Sequence, residues 1–145
     1  MFEYDAYKGF NEVLGFTYTV QSPEHIEAIM PITDNLRQPF GVVHGGVTIA
    51  LLEAVASQGA ALMADFEVEV PFGIEANIRH RKSGKEGSMR GVATLNRIEG
   101  SKQIWDVVAY DDEGDVMSDG TFTTKIVSYE RLAEIERRRA ETKAK

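Results

Sequence analysis

Gly41–Ala64, GVVHGGVTIALLEAVASQGAALMA, constrains the fold of this chain more than any other stretch. It opens with a loop, His44-Gly45-Gly46, and continues as a helix that is apolar on nearly every face. A helix lying on a protein surface carries a polar stripe, so this one has to be wrapped by other structure. Its small residues, Ala50, Ala54, Ser57 and Ala61, let a sheet approach the backbone closely. The helix has one charged side chain, Glu53. Burying an unpaired carboxylate costs several kcal/mol or shifts its pKa, so Glu53 either has a polar partner in the core or lines a pocket and does chemistry.

The rest of the 145 residues supplies the wrapping. Ahead of the helix, Tyr4–Leu14 places Tyr7, Phe10, Val13 and Leu14 at helical spacing, with Gly15 as a stop signal. Phe16–Val20 and Ile26–Ile32 alternate like strands around a Ser22-Pro23-Glu24 turn, which predicts a hairpin. Asp34–Val43 has no sustained period and reads as a loop. After the helix come four strand-like runs, Glu67–Arg81, Ser88–Ile98, Gln103–Asp111 and Val116–Val127. Pro71 and Gly73 should break or bulge the first, and Asp111-Asp112-Glu113-Gly114 should turn the last two into a hairpin. Tyr129–Lys145 reads as a charged helix anchored by Leu132 and Ile135. One domain spanning 1–145 is expected, of α+β class, with five or six antiparallel strands curled round the long helix. A single layer leaves the far side of the helix bare, so self-association, most simply as a two-fold dimer, is expected.

Composition excludes several function classes. There are no cysteines, which removes disulfide frameworks, thiolate zinc sites and cysteine nucleophiles. A net charge of −7 argues against broad nucleic-acid binding but leaves room for a local cationic pocket. Glu53 interrupts the longest apolar run, so no membrane span is expected, and the acidic N-terminus does not look like a signal peptide. The cytoplasm is the expected compartment. His25, His44 and His80 are scattered without a close acid partner, and no metal site is expected.

At HGGVTIALLEAVAS the chain resembles the hotdog-fold acyl-CoA thioesterases, in particular the branch of phenylacetate-pathway and 4-hydroxybenzoyl-CoA thioesterases. The resemblance runs over nearly the whole chain and implies a hotdog fold and hydrolysis of an acyl-CoA, with coenzyme A arriving as part of the substrate and no separate cofactor. By resemblance, Gln38, His44, Gly45, Gly46 and Glu53 match the site positions of the family, and Ser57 matches a polar helix residue of some members. Asn77 and Gly84 match a strand-end pattern, whereas the intervening Ile78-Arg79-His80-Arg81-Lys82-Ser83 has extra cations and lacks the proline common there.

In this reading Glu53 is the nucleophile or the general base for water. The backbone N–H groups of Gly45 and Gly46, at the positive end of the helix, form an oxyanion hole. The glycines alternatively allow only a tight turn beneath the sheet. On a helical wheel Gly46, Ile49, Ser57 and Ala60 flank Glu53, and Ser57 is expected to hydrogen-bond it or its water. His44 orients the thioester or its departing sulfur, or else caps the helix, and Gln38 enters by motif match. Asn77, Arg79, His80, Arg81 and Lys82 are candidates for holding the substrate, the cations for its phosphates, against the alternative of a solvated strand end. Phe40 and Phe72 are candidate acyl-pocket residues.

Two rival activities stay open. Hotdog hydratases and dehydratases carry a catalytic histidine well upstream of the helix carboxylate, whereas His44 lies only nine positions before Glu53. A non-catalytic acyl-CoA-binding domain would bind the same ligand and release no thiol. The oligomer expected from the resemblance is a homodimer with shared sites, or a tetramer built from two such dimers. Helix geometry agrees with sharing. Gly46 and Glu53 are seven residues apart, about 10 Å along the axis, which is far for two groups serving one carbonyl.

Overall fold

The computed structural model describes residues 7–145, so Tyr4–Ala6 of the expected leading helix lie outside the described residues. α1 covers Gly9–Leu14 and ends at Gly15, whose φ of 72° closes the turn with its N–H donating to the Asn11 carbonyl. β1 (Thr17–Ser22) and β2 (His25–Pro31) form the expected hairpin. The next segment holds a 3-10 turn, Asp34–Leu36, inside what reads as plain loop in the sequence. It is tied down because His44 N–H donates to Leu36 O, and Val43 N–H to Gly84 O, both at 2.8 Å. α2 spans Gly45–Met63, followed by β3 (Glu69–His80), β4 (Ser88–Glu99), β5 (Lys102–Tyr110), β6 (Val116–Ser128) and α3 (Tyr129–Lys143).

The six strands make one antiparallel sheet in the order β1-β2-β4-β5-β6-β3. β3 therefore lies at an edge, where Pro71 is tolerated because an edge strand has N–H groups that no ladder uses. The bulge expected in this strand falls between Gly73 and Glu75. The sheet curls round α2 and buries Thr48, Leu51, Leu52, Val55, Ala56, Gly59 and Ala60 against the inward side chains of β2, β4, β5 and β6.

Trp105, fully buried on β5, packs onto α2 at Gly59, where a Cβ would stand 2.3 Å from the indole. Its Nε1–H donates to Thr124 Oγ1 at 2.9 Å, and Thr124 Oγ1–H donates to Gln103 Oε1 at 2.8 Å. The polar groups beside the core are thereby paired, avoiding the roughly 1–3 kcal/mol that an orphaned buried donor costs.

Two expectations about α2 need correction. The sheet covers one side of the helix only, and the other side, with Gly46 and Glu53 exposed, is met among the described residues only along its margins, by α1 and the β3 edge. Glu53 is therefore not buried in the isolated chain. Ala60, two turns on from Glu53 along the same side, is by contrast fully buried. By length and composition alone α2 could cross a membrane, but its apolar side is packed against the sheet.

Candidate active site

The start of α2 is capped by its own preceding residue. His44 Nδ1 accepts a hydrogen bond from Gly46 N–H at 2.9 Å, and His44 O accepts from Val47 N–H at 2.9 Å. An accepting Nδ1 carries no proton, so in neutral His44 the proton sits on Nε2, which is left as a donor. The cap also separates two glycines that look equivalent in sequence. Gly46 N–H is consumed by His44, which removes it from the expected pair of oxyanion donors. Gly45 N–H is left at the positive end of the helix with no acceptor among the described residues.

Gly45 opens onto a cleft of about 320 Å³ that is also lined by Gln38, Thr48 and His80. The His80 ring leans over the glycine, and a Cβ on Gly45 would stand 2.9 Å from His80 Nε2. His80 is held from its other side by a 2.6 Å hydrogen bond between Nδ1 and Ser118 Oγ. Gln38 sits in a tight turn, with its N–H donating to Val42 O and its carbonyl accepting from Gly41 N–H. Its side-chain Oε1 accepts from Phe40 N–H, so its amide NH₂ is the end that remains for a ligand.

Glu53 stands eight residues beyond Gly45, about 12 Å along the axis, in a different cleft. This second cleft, about 470 Å³, runs beside the open side of α2 and also receives Ser57. The carboxylate crosses to the sheet edge and lies over Gly73 of β3, where a Cβ would be 2.7 Å from Glu53 Oε1. Ser57 shares the cleft but forms no hydrogen bond to Glu53 among the described residues, so the expected pair is not made directly.

The cationic strip is divided. Successive strand residues face opposite sides. Asn77, Arg79 and Arg81 line a shallow depression of about 200 Å³ beside Asp119, and Arg81 Nε pairs with Asp119 Oδ2 at 2.9 Å. Lys82 reaches instead into the β5–β6 turn, with Nζ 2.6 Å from Asp111, 2.7 Å from Asp115 and 3.7 Å from Glu113. The Asp111 carboxylate, with Asp115, holds the Lys82 ammonium well above the usual lysine range, and Lys82 in turn holds the Asp111 carboxyl below its ordinary value. These three acids are close enough to one another to hold a cation, and that cation is Lys82.

The two aromatic candidates part from the clefts. Phe40 is 91% exposed in its loop and Phe72 is exposed on β3, and neither lines either cleft among the described residues. Cleft walls come from residues that sequence reasoning did not select: Phe66, Tyr18 and Pro71 beside Glu53, and Ser118 behind His80. Nothing in the sequence marks Ser118, which is one serine in an alternating strand.

Comparison with known proteins places this architecture. Residues 40–118, more than half the chain, match the thioesterase superfamily. The 1,4-dihydroxy-2-naphthoyl-CoA hydrolase of Escherichia coli K12 is 33% identical over 102 residues, covering 70% of this chain and 74% of the relative. The proofreading thioesterase EntH of Cronobacter sakazakii is 33% identical over 103 residues, covering 71% and 74%. A Staphylococcus aureus protein solved with a glutamate changed to alanine superposes with a TM-score of 0.79 at 31% identity, covering 81% of this chain and 97% of that one. The same S. aureus protein, there called a thioesterase, was also solved with a glutamine changed to alanine (TM-score 0.77, 30% identity, 79% and 95% covered). In that protein the two changed residues lie fifteen positions apart, glutamine first, which is also the spacing of Gln38 and Glu53 here. With its curved six-stranded sheet around one long helix, this chain belongs to the thioesterase superfamily of hotdog-fold enzymes.

Proposed function

We propose that this protein hydrolyses an acyl-CoA thioester to the free acid and coenzyme A, with Glu53 as the reacting carboxylate. The observation that carries the reading is Glu53 itself, the one charged side chain of α2, lying over the bare backbone of Gly73 in an apolar-walled cleft. Glu53 either attacks the thioester carbonyl, forming a mixed anhydride that water then opens to the free acid, or takes a proton from a water that attacks the carbonyl directly. The carbonyl π electrons move onto oxygen, the C–S bond then breaks, and the sulfur leaves as a thiolate that picks up a proton. The developing oxyanion calls for fixed donors, each worth about 2.7–4 kcal/mol in comparable enzymes. Gly45 N–H at the helix start is the backbone donor, and Gln38 NH₂ and His44 Nε2–H stand on the same segment. His80, buttressed by Ser118, shapes the wall above Gly45.

Within one chain the donors and the carboxylate are about 12 Å apart along α2, beyond the 3–3.5 Å of a near-attack contact. A second copy supplies the missing half. The bare side of α2, the free edge of β3 and the exposed Phe72 and Ile74 on that edge are the surfaces it would cover. Covering them would also exclude water from Glu53. The protein is thus read as a cytoplasmic homodimer, or a dimer of dimers, with shared sites and no separate cofactor.

The test is thiol release from a panel of acyl-CoAs by wild type and by Glu53→Ala. Turnover should fall at least about 100-fold in the variant, the low end for losing an acid–base residue, while acyl-CoA binding measured by calorimetry persists. Near-wild-type turnover in the variant sinks the assignment. Binding without thiol release by the wild type, across the panel, would make the protein a non-catalytic acyl-CoA receptor.

A further inference from the structure

The Glu53 cleft has a direction. It follows α2 from Ala50 to Ala61, and the stretch beyond Glu53 covers eight residues, or about 12 Å at roughly 1.5 Å per residue. Its floor is small, at Ala54 and Ala61, while Tyr18 and Val70 wall it from opposite edges of the sheet. An aromatic residue lies just past the far end of α2. Phe66 follows the last turn of α2 by three residues, is half-buried, and lines the same cleft. A carbon chain built from ~1.5 Å bonds in a zigzag advances about 1.25 Å per carbon, so 12 Å holds about nine carbons.

The turn carrying Phe66 is braced from outside the matched family region, which ends at residue 118. Tyr129, the first residue of α3, donates its backbone N–H to Val68 O at 3.0 Å and its hydroxyl to Phe66 O at 2.9 Å. α3 has no buried residue of its own, so this double bond to the 66–68 turn is the clearest structural consequence of its root.

We infer that Phe66, fixed by Tyr129, is the end wall of an acyl-binding groove floored by Ala54 and Ala61, and that it limits the substrate to an apolar acyl group about nine carbons long. The inference rests on the reading of Glu53 as the reacting carboxylate, since that carboxylate marks where the carbonyl sits. Phe66 and Ala61 are specificity-determining residues, and Tyr129 is a positioning residue that acts through Phe66.

The experiment measures kcat/KM for straight-chain acyl-CoAs from butyryl to dodecanoyl, with melting temperatures recorded for each variant. Wild type should improve with length up to about nine carbons and decline beyond. Because one methylene more or less in an apolar pocket changes kcat/KM by roughly 10–200-fold, Ala61→Leu should lower the decanoyl-to-butyryl ratio at least about 10-fold. Phe66→Ala should raise the dodecanoyl-to-octanoyl ratio by about the same factor, and Tyr129→Phe should move it the same way by a smaller factor. Opposite shifts from Ala61→Leu and Phe66→Ala cannot come from a general loss of folding. An unchanged length profile in both, or an equal drop at every length, overturns the inference. If Glu53→Ala is inactive in that event, the proposed function survives; if Glu53→Ala retains turnover, the reading of the site fails first.

Discussion

Gly73 determines where the Glu53 carboxylate can lie. Any side chain at this position would place a Cβ 2.7 Å from Glu53 Oε1 and 3.1 Å from Phe122 Cε1, and the Phe122 ring is packed and cannot yield. Gly73→Ala should therefore displace the carboxylate rather than the strand. Since a misplacement of 1 Å can cost about 100-fold in rate, kcat should fall by roughly 10–100-fold with KM changed little. Steady-state kinetics checks this, and an unaltered kcat would mean that the carboxylate does not work from this position. Glu53 stood out in the sequence as a lone charge on an apolar helix, whereas Gln38, His44 and Gly45 became candidates through the family resemblance. Gly73 was legible only as a strand irregularity. Its partner lies twenty positions away, across a helix-to-strand contact that no local pattern encodes. Gly45 and Gly46 were indistinguishable for a similar reason, because only the rotamer of His44 decides which N–H is taken.

Among the elements, the strands were the most legible, since period-2 alternation and the glycines between runs mark each one. β4, β5 and β6 match their expected spans to within a residue or two at each end. The cationic strip was not legible. From Arg79 to Lys85 the sequence shows one block of charge, but the pleat sends Arg79 and Arg81 to one side, and the turn after β3 carries Lys82 to the β5–β6 hairpin. The hairpin recruits Lys82 because Asp111 is already preorganised, its Oδ1 accepting the N–H groups of Glu113 and Asp115.

This clip has a pH signature. The Asp111 carboxyl is held below its ordinary 3.8, so it contributes stability above that value and loses it as pH falls through the depressed one. Lys82 is held above its ordinary 10.5, so its contribution is complete below that value and disappears only in strong alkali. Thermal melts from pH 7 to pH 3 should show a declining acid limb that is shallower in Asp111→Asn, which cannot ionise. Some decline should remain, because Glu27 is likewise depressed, chiefly by its hydrogen bond from His25 and also by Arg90. Identical acid limbs in the two proteins would show that the clip contributes nothing to stability.

At the scale of the whole molecule, the α+β class follows from one apolar helix among alternating strands. The sequence could not show which side of that helix a single chain leaves bare, because the apolar residues run nearly all round it. The proposal that a second copy completes the site makes a quantitative prediction. Glu53→Ala and Gln38→Ala, each first shown to be nearly inactive, are mixed under conditions that exchange subunits. Random pairing makes about half the dimers hybrid, each with one intact site and one doubly damaged one, so activity should recover to about a quarter of wild type. Verified exchange without recovery would rule out shared sites. The seat of α2 in the sheet also has an optical consequence. The chain's one tryptophan, Trp105, is wholly out of water, lies against Gly59 and donates its N–H to Thr124. Its fluorescence is therefore a built-in reporter of whether the helix is seated, and because Trp105 lines neither cleft, the folding of the core can be followed separately from the filling of the groove.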